Sequence, residues 1–438
     1  MANSMMIPRD ECQPTRWMRA CAPSCLLVFA LSTCAWAGTS ADGLIASPEA
    51  GWPQWRGPRR DGVSDENGLL PSWPQDGPRL LWKVNDLGKG WSSPIIVGER
   101  IYITGDVGND LIVYALDLTR NVQWKATNGR AWKTPYPGAR ACCVYSEGRL
   151  YNLNAHGRLA CLDATSGQEQ WSVDILDRFQ GKNITWALSE CLLVDGPRVI
   201  VTPGGKKALM AALDKCTGET LWTTDPLEDD LASHSSPILF RYAGHRVIAN
   251  CSSAHGFGVD ADTGKLLWTV PLKNPHGVNV STPIYGSGSV FFVTPYSEQG
   301  RLYQLASNAQ GMTAEHVWTS PLDTVTGCGV LVGNTLFASG YREAKWWLGI
   351  DWQTGRTTCE LKDLTTGAAI WADERLYVLD ERGTAALLKP GADHLEVISQ
   401  FRLTTDEVRD AWAHPVVLNG RLYLRYHDTL WCYDVSGV

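Results

Sequence analysis

The residues of this 438-residue chain with the most chemical potential are the adjacent cysteines Cys142 and Cys143. A disulfide between chain neighbours closes a strained ring, and a protein that keeps such a ring has a use for it. The competing reading is that both are small buried residues filling space, which free cysteine does readily. Cys191 and Cys328 recur in comparable local contexts and favour that second reading. A further polar and aromatic set, Arg140, Trp186, Glu190, His234, Asn279 and His414, has the mixed charge of a binding mouth rather than the pairing of a catalytic centre. No catalytic residue is assigned. The sequence has no haem-attachment Cys-x-x-Cys-His, no helix-borne His-x-x-x-His, and no nucleophile elbow, phosphate loop or dinucleotide fingerprint in a strand-to-helix context. His234 and His414 stand too far apart in sequence to read as a metal site.

What positions these residues is a repeat. Trp82, Trp124, Trp171, Trp222, Trp268 and Trp318 recur at separations of 42, 47, 51, 46 and 50 residues. A period of that size marks a propeller, a solenoid or an array. The unit is clearest from Cys142 to Val173, where turns at Ser146-Glu147-Gly148, Ala155-His156-Gly157 and Thr165-Ser166-Gly167 separate four short strand-like segments. Four antiparallel strands on three tight turns make one propeller blade. The last turn aligns best, as Asp163/Gly167/Trp171, Asp214/Gly218/Trp222 and Asp260/Gly264/Trp268, and returns as Asp351/Gly355/Cys359. Asp accepts turn N–H groups, Gly supplies the positive φ, and Trp covers the gap to the next blade.

First strands start near Ser92, Cys142, Cys191, Ser235, Ser281, Cys328, Gly367 and Ala413, which predicts an all-β, eight-bladed β-propeller. Units six and seven are degenerate, so seven blades is the alternative. The last unit lacks a fourth strand, and Leu80 to Val84 carries a blade-type Trp with no strands before it. The two termini are therefore expected to share one blade, closing the ring and removing a free sheet edge. Placed on this frame, the polar set above lies at the heads of first strands, where a propeller has its axial mouth.

Composition and termini narrow the class. The chain carries 42 Gly, 23 Pro and 20 Trp with a net charge of −7, so a phosphate-tracking basic surface has no source and nucleic acid is set aside. Arg9, Arg16 and Arg19 precede the apolar run Cys25 to Leu31, and Ala35-Trp36-Ala37 supplies a cleavage site. Residues 1–37 therefore read as an export signal, 38–78 as a Pro/Gly/Trp-rich strap and 79–438 as the propeller. A periplasmic or extracellular location is expected, with no transmembrane span in the mature chain and signal cleavage favoured over a lipid anchor at Cys34. Four of the 13 cysteines fall in the signal, leaving 13 − 4 = 9, an odd number that argues against a disulfide scaffold. In the strap, Trp52 and Trp55 read as packing residues, with a polysaccharide-binding shelf as the rival.

The segment Leu162-Asp163-Ala164-Thr165-Ser166-Gly167-Gln168-Glu169-Gln170-Trp171 resembles the pyrroloquinoline-quinone (PQQ) repeat. That repeat is shared by quinoprotein alcohol dehydrogenases and the propeller lipoprotein of the outer-membrane β-barrel assembly machinery. Trp52 to Pro58, Gly68 to Pro74 and Val201 to Lys206 resemble secreted bacterial PQQ-like propellers, some called polyvinyl alcohol dehydrogenase. The resemblance implies two functions. One is an exported binding or assembly module taking a protein or small ligand at the propeller mouth. The other is a dehydrogenase of alcohols or sugars using PQQ with Ca²⁺, in which Cys142 and Cys143 would form the disulfide that lies against the quinone. The family's Ca²⁺ ligands and catalytic Asp find no matching positions here, and Glu190 stands in a different context from its metal-binding Glu.

Overall fold

The computed structural model describes residues 41–296, 299–342, 344–404 and 410–437. Residues 1–37, which the sequence reading takes as an export signal, and their four cysteines including Cys34 fall outside the described residues. Eight antiparallel sheets follow one another along the chain and form an eight-bladed β-propeller. Seven are built from consecutive strands; blade 2, for example, comprises Val144–Ser146, Arg149–Leu153, Arg158–Asp163 and Glu169–Asp174. The eighth combines Val416–Leu418, Arg421–Tyr426 and Thr429–Asp434 with the N-terminal strand Arg79–Val84. Lys83 pairs with Trp431 and Val84 with Leu430, so the ring is closed by main-chain hydrogen bonds as the lone Trp82 strand required. Blades 6 and 7 are complete, which settles eight over seven.

First strands of neighbouring blades touch one another and so line the axis. They mostly begin two or three residues later than the sequence placed them, at Ile95, Val144, Leu193, Ile238, Ile284, Val330 and Val416. The residues before them are extended but unpaired and belong to the loops. In a four-stranded meander, the loop entering each blade and the turn between its second and third strands share one face, here the upper. The other two turns form the lower face.

The Asp-Gly-Trp signature has a mechanism that crosses blades. Asp163 Oδ1 accepts the N–H groups of Thr165 (3.1 Å) and Ser166 (2.8 Å), which fixes the turn. The Trp of the preceding blade then lies on the turn glycine: a Cβ on Gly167 would meet the Trp124 ring at 2.5 Å, and one on Gly218 the Trp171 ring at 2.7 Å. The indole N–H donates to the carbonyl just after the Asp, from Trp124 to Ala164 (3.1 Å), Trp171 to Lys215 (3.1 Å), Trp318 to Trp352 (3.0 Å) and Trp82 to Leu118 (2.9 Å). Each repeat is thus completed only by its neighbour, the nearest-neighbour coupling expected of such arrays.

Candidate functional site

Two regions surround the axis, and they differ in kind. The lower one is the segment between Gly43 and Ser64. Its short strand Gly43–Leu44 extends blade 4 on the axial side. From there it bonds to the first strand of blades 1, 2, 4, 7 and 8 and to the residues leading into that strand in blades 3, 5 and 6. Ile45 N–H donates to Leu239 O (2.9 Å), Trp52 exchanges two bonds with Ile96, Tyr145 N–H donates to Pro53 O (2.9 Å), and Ser64 N–H donates to Trp371 O (2.8 Å). Side chains complete the circle. Trp55 Nε1 donates to Thr282 Oγ1 (3.1 Å), Ser64 Oγ to Val417 O (3.1 Å), Arg56 to Gly329 O (2.6 Å), and Arg60 to Cys191 O (2.6 Å) and Leu192 O (2.9 Å). Both arginines are only 3% exposed. Their guanidinium groups hydrogen-bond to main-chain carbonyls and, among the described residues, to no carboxylate, and burial lowers the Arg60 pKa to about 10.

Trp52 is 2% exposed and so offers no shelf to a sugar, whereas Trp55 is half-buried with its ring centre 4.4 Å from that of His414.

Where this plug meets the first strands, equivalent positions form a ring: Ser93, Cys142, Cys191, Ser236, Thr282, Cys328, Ala368 and His414. Along half of it, each backbone N–H donates to the side chain of the next blade. His414 N–H donates to Ser93 Oγ (2.8 Å), Ser93 N–H to Cys142 Sγ (3.2 Å), Cys142 N–H to Cys191 Sγ (3.3 Å) and Cys191 N–H to Ser236 Oγ (2.9 Å). Cysteine here takes the acceptor place that serine takes elsewhere.

Cys142 and Cys143 are both free thiols, each 1% exposed, and burial holds them far above the usual thiol range. They therefore stay protonated and unreactive. A planar quinone stacked on this pair needs an open face, but Ser93, Cys191 and the nearby Arg60 and Arg425 guanidinium groups close around Cys142. Among the described residues no group of three His, Cys, Asp or Glu could hold a metal ion. The closed packing around the buried thiols does not fit a stacked quinone.

The six mouth candidates divide. Glu190, Asn279 and His414 are buried. Glu190 accepts from Thr202 N–H (2.9 Å), Thr202 Oγ1 (2.7 Å) and Asn250 Nδ2 (3.2 Å), and burial raises its pKa to about 7 despite those bonds and Arg60. Asn279 ties a loop by donating to Ser252 O (2.8 Å). His414 is kept neutral by burial and by Arg56, leaving Nε2 without a partner.

Arg140, Trp186 and His234 reach the upper face. Arg140 donates to Trp186 O (3.1 Å) and Tyr136 O (2.6 Å), and its guanidinium lies 5.1 Å from the Trp91 ring centre and 5.8 Å from that of Trp132. Burial lowers its pKa to about 10, so it remains a cation. His234 is held to about 4, by burial and then by Arg140, and is neutral at pH 7.

Around these three the structure adds residues that the sequence reading missed. One arc runs Trp91, Trp412 and Tyr136, with ring centres 5.0 and 5.7 Å apart. Another runs Trp186, His276, Tyr296 and Tyr341 at 6.4, 5.0 and 6.1 Å, with Arg342 5.0 Å above Tyr296. Tyr136 is 53% exposed, between two prolines on its loop. The signal for this arc lay in Trp132-Lys133-Thr134-Pro135-Tyr136-Pro137, a loop too aromatic and too rich in proline to be a mere connection.

Fold and site together define a PQQ-repeat propeller plugged from below and edged with aromatic residues above. Residues 109–358 match the family described as outer membrane protein assembly factor BamB, and the chain belongs to that family. It is 30% identical over 162 residues to the lanthanide-dependent methanol dehydrogenase of Methylacidiphilum fumariolicum (strain SolV), covering 33% of this chain and 25% of that protein. Over another 162-residue alignment it is 32% identical to the quinohemoprotein alcohol dehydrogenase ADH-IIG of Pseudomonas putida, covering 33% of this chain and 21% of that one. The match thus spans a quarter or less of either relative.

Among solved structures, BamB from Moraxella catarrhalis is similar with a TM-score of 0.60 at 15% identity, covering 82% of this chain and 99% of that one. The quinohemoprotein alcohol dehydrogenase of Comamonas testosteroni has a TM-score of 0.59 at 13% identity, covering 89% and 81%. At such identities the likeness is one of fold. No helix among the described residues is long and apolar enough to cross a membrane.

Proposed function

We propose that this protein is an exported binding module whose upper rim docks a segment of another protein. The observation that carries the reading is the convergence of Trp412, Tyr136, Trp186, Tyr296, Tyr341, Arg140 and Arg342 on one face of a rigid ring. Tyr, Trp and Arg are the residues that concentrate binding energy at protein interfaces, because they bury large area at small entropic cost and keep a polar handle. Similarity to assembly factors supports the same reading. The alternative, a PQQ- and Ca²⁺-dependent dehydrogenase, draws on the two alcohol dehydrogenase relatives and requires the Cys142–Cys143 pair to be open to a cofactor.

Two assays separate them. In the first, immobilised protein is exposed to an envelope extract of the cells that make it, and bound proteins are quantified by mass spectrometry. The Tyr136→Ala/Trp412→Ala double variant is expected to lose the partner that the parent retains, and equal retention would refute docking at this arc. In the second, PQQ and Ca²⁺ are titrated against tryptophan fluorescence. No saturable quenching is expected, whereas tight binding abolished by Cys142→Ser/Cys143→Ser would establish the dehydrogenase.

A further inference from the structure

A cleft of about 370 Å³ opens on the upper face between blades 6 and 7, lined by Tyr341, Arg342, Lys345, Thr365, Thr366, Glu381 and Arg382. It is built from three loops. Tyr341, Arg342 and Lys345 follow the second strand of blade 6, Thr365 and Thr366 enter blade 7, and Glu381 and Arg382 follow its second strand. Among the described lining residues, three cations and one carboxylate share one cavity in a chain whose net charge is −7. Among the described residues, no carboxylate is in salt-bridge contact with Arg342, Lys345 or Arg382.

The backbone beneath them is fixed. Asp323 accepts the N–H groups of Tyr341 (2.7 Å) and Arg342 (2.8 Å), one on each oxygen. Thr366 Oγ1 donates to Gly340 O, tying the blade 6 loop to blade 7. Glu381 N–H donates to Thr366 O (2.8 Å), and Asp380 Oδ1 accepts Arg382 N–H (3.0 Å). Arg342 is further set by lying over the Tyr296 ring. Glu381, the acid among the described lining residues, is engaged by Thr365 Oγ1 (3.4 Å), and its carboxyl is raised above the ordinary range by burial.

We infer that this cleft is a binding site for an oxyanion carrying two or more negative charges, held by Arg342, Arg382 and Lys345 with the Thr365 hydroxyl. Guanidinium forks match carboxylate and phosphate oxygens in pairs, and a lysine adds a point charge. The inference stands apart from the docking of a protein on the rim, since a free anion suffices for it.

The test is isothermal titration of the full chain at low ionic strength with three probes: citrate, pyrophosphate and a hexaglutamate peptide. At least one is expected to bind saturably at one site. The Arg342→Gln/Arg382→Gln variant weakens that binding by about tenfold or more with an unchanged melting temperature, while Lys265→Gln on the lower face leaves it intact. Citrate or pyrophosphate binding identifies a free carboxylate or phosphate ligand, and binding of the peptide alone identifies an acidic protein segment. Saturable binding of none of the three, or binding that the double substitution leaves unchanged, overturns the site.

Discussion

The lower and upper ends of the axis are made from the same kinds of residue put to opposite uses. Below, Trp52, Arg56 and Arg60 are buried and Trp55 is half-buried, and the two arginines donate to main-chain carbonyls of blades 3 and 6. Above, Trp412 packs on Tyr136, Arg140 on Trp91 and Arg342 on Tyr296, and Tyr136 and Arg342 are exposed. A segment that bonds to all eight blades cannot move without disturbing every one of them. A loop that stacks only on its neighbour's loop can exchange that contact for a partner's. Residue type does not distinguish scaffold from interface here; burial does, since Arg56 and Arg60 are buried while Arg140 is half-buried and Arg342 exposed.

The sharpest way to break this comparison is to remove an arginine from each end. Arg60→Met strands two buried carbonyls and is expected to cost about 3 kcal/mol in urea unfolding, since each unsatisfied buried group costs about 1–3 kcal/mol. Arg140→Met, on the rim, is expected to cost about 1 kcal/mol or less while weakening partner retention.

Glu190, beside the plug, gives a pH signature. Its folded pKa of about 7 lies above the unfolded value, so its contribution is fully present below about pH 4 and is lost as pH rises through 7. Between pH 5 and 8 the protein should lose on the order of 2 kcal/mol, measured by urea midpoints, and Glu190→Gln should flatten that dependence.

A smaller contrast tests the blade-to-blade tie. Trp318 donates its indole N–H to Trp352 O, whereas the Trp222 Nε1 is buried without a partner. Trp318→Phe should cost roughly 1 kcal/mol more than Trp222→Phe. Least disruptive is a thiol map. Of the nine described cysteines only Cys216 is exposed, so a thiol reagent should label it alone before denaturation. Labelling of Cys142 or Cys143 in the folded protein would reopen the axial pair as a functional site.

The ring was legible because its signal is local. Asp163, Gly167 and Trp171 lie within one turn and its strand, and the turn chemistry is written in adjacent residues. Blades 6 and 7 were harder to read, since Cys359 stands where Trp stands elsewhere and packs on Gly349 instead of covering a turn in the next blade. The strap's reach to every blade could not be read, because its partners lie up to 358 residues away and share no pattern with it. Arg59 and Arg60 look alike in sequence. One pairs with Asp61 and Asp65 at the surface and the other is buried at the axis. For the mouth, sequence gave the height along the axis but not the direction of the side chain. Arg140 and Trp186 point out, while Glu190 and His414 one strand-head away point in.

The account turns on the claim that the upper rim, and not the lower face, meets a partner. Site-specific photo-crosslinking in the producing cells tests it, with a benzophenone amino acid replacing Tyr136 or Tyr341 above and Glu99 or Asn419 below. The account predicts a shared crosslinked partner from both upper positions and none from the lower turns. Crosslinks from Glu99 and Asn419 with none from the rim would contradict it.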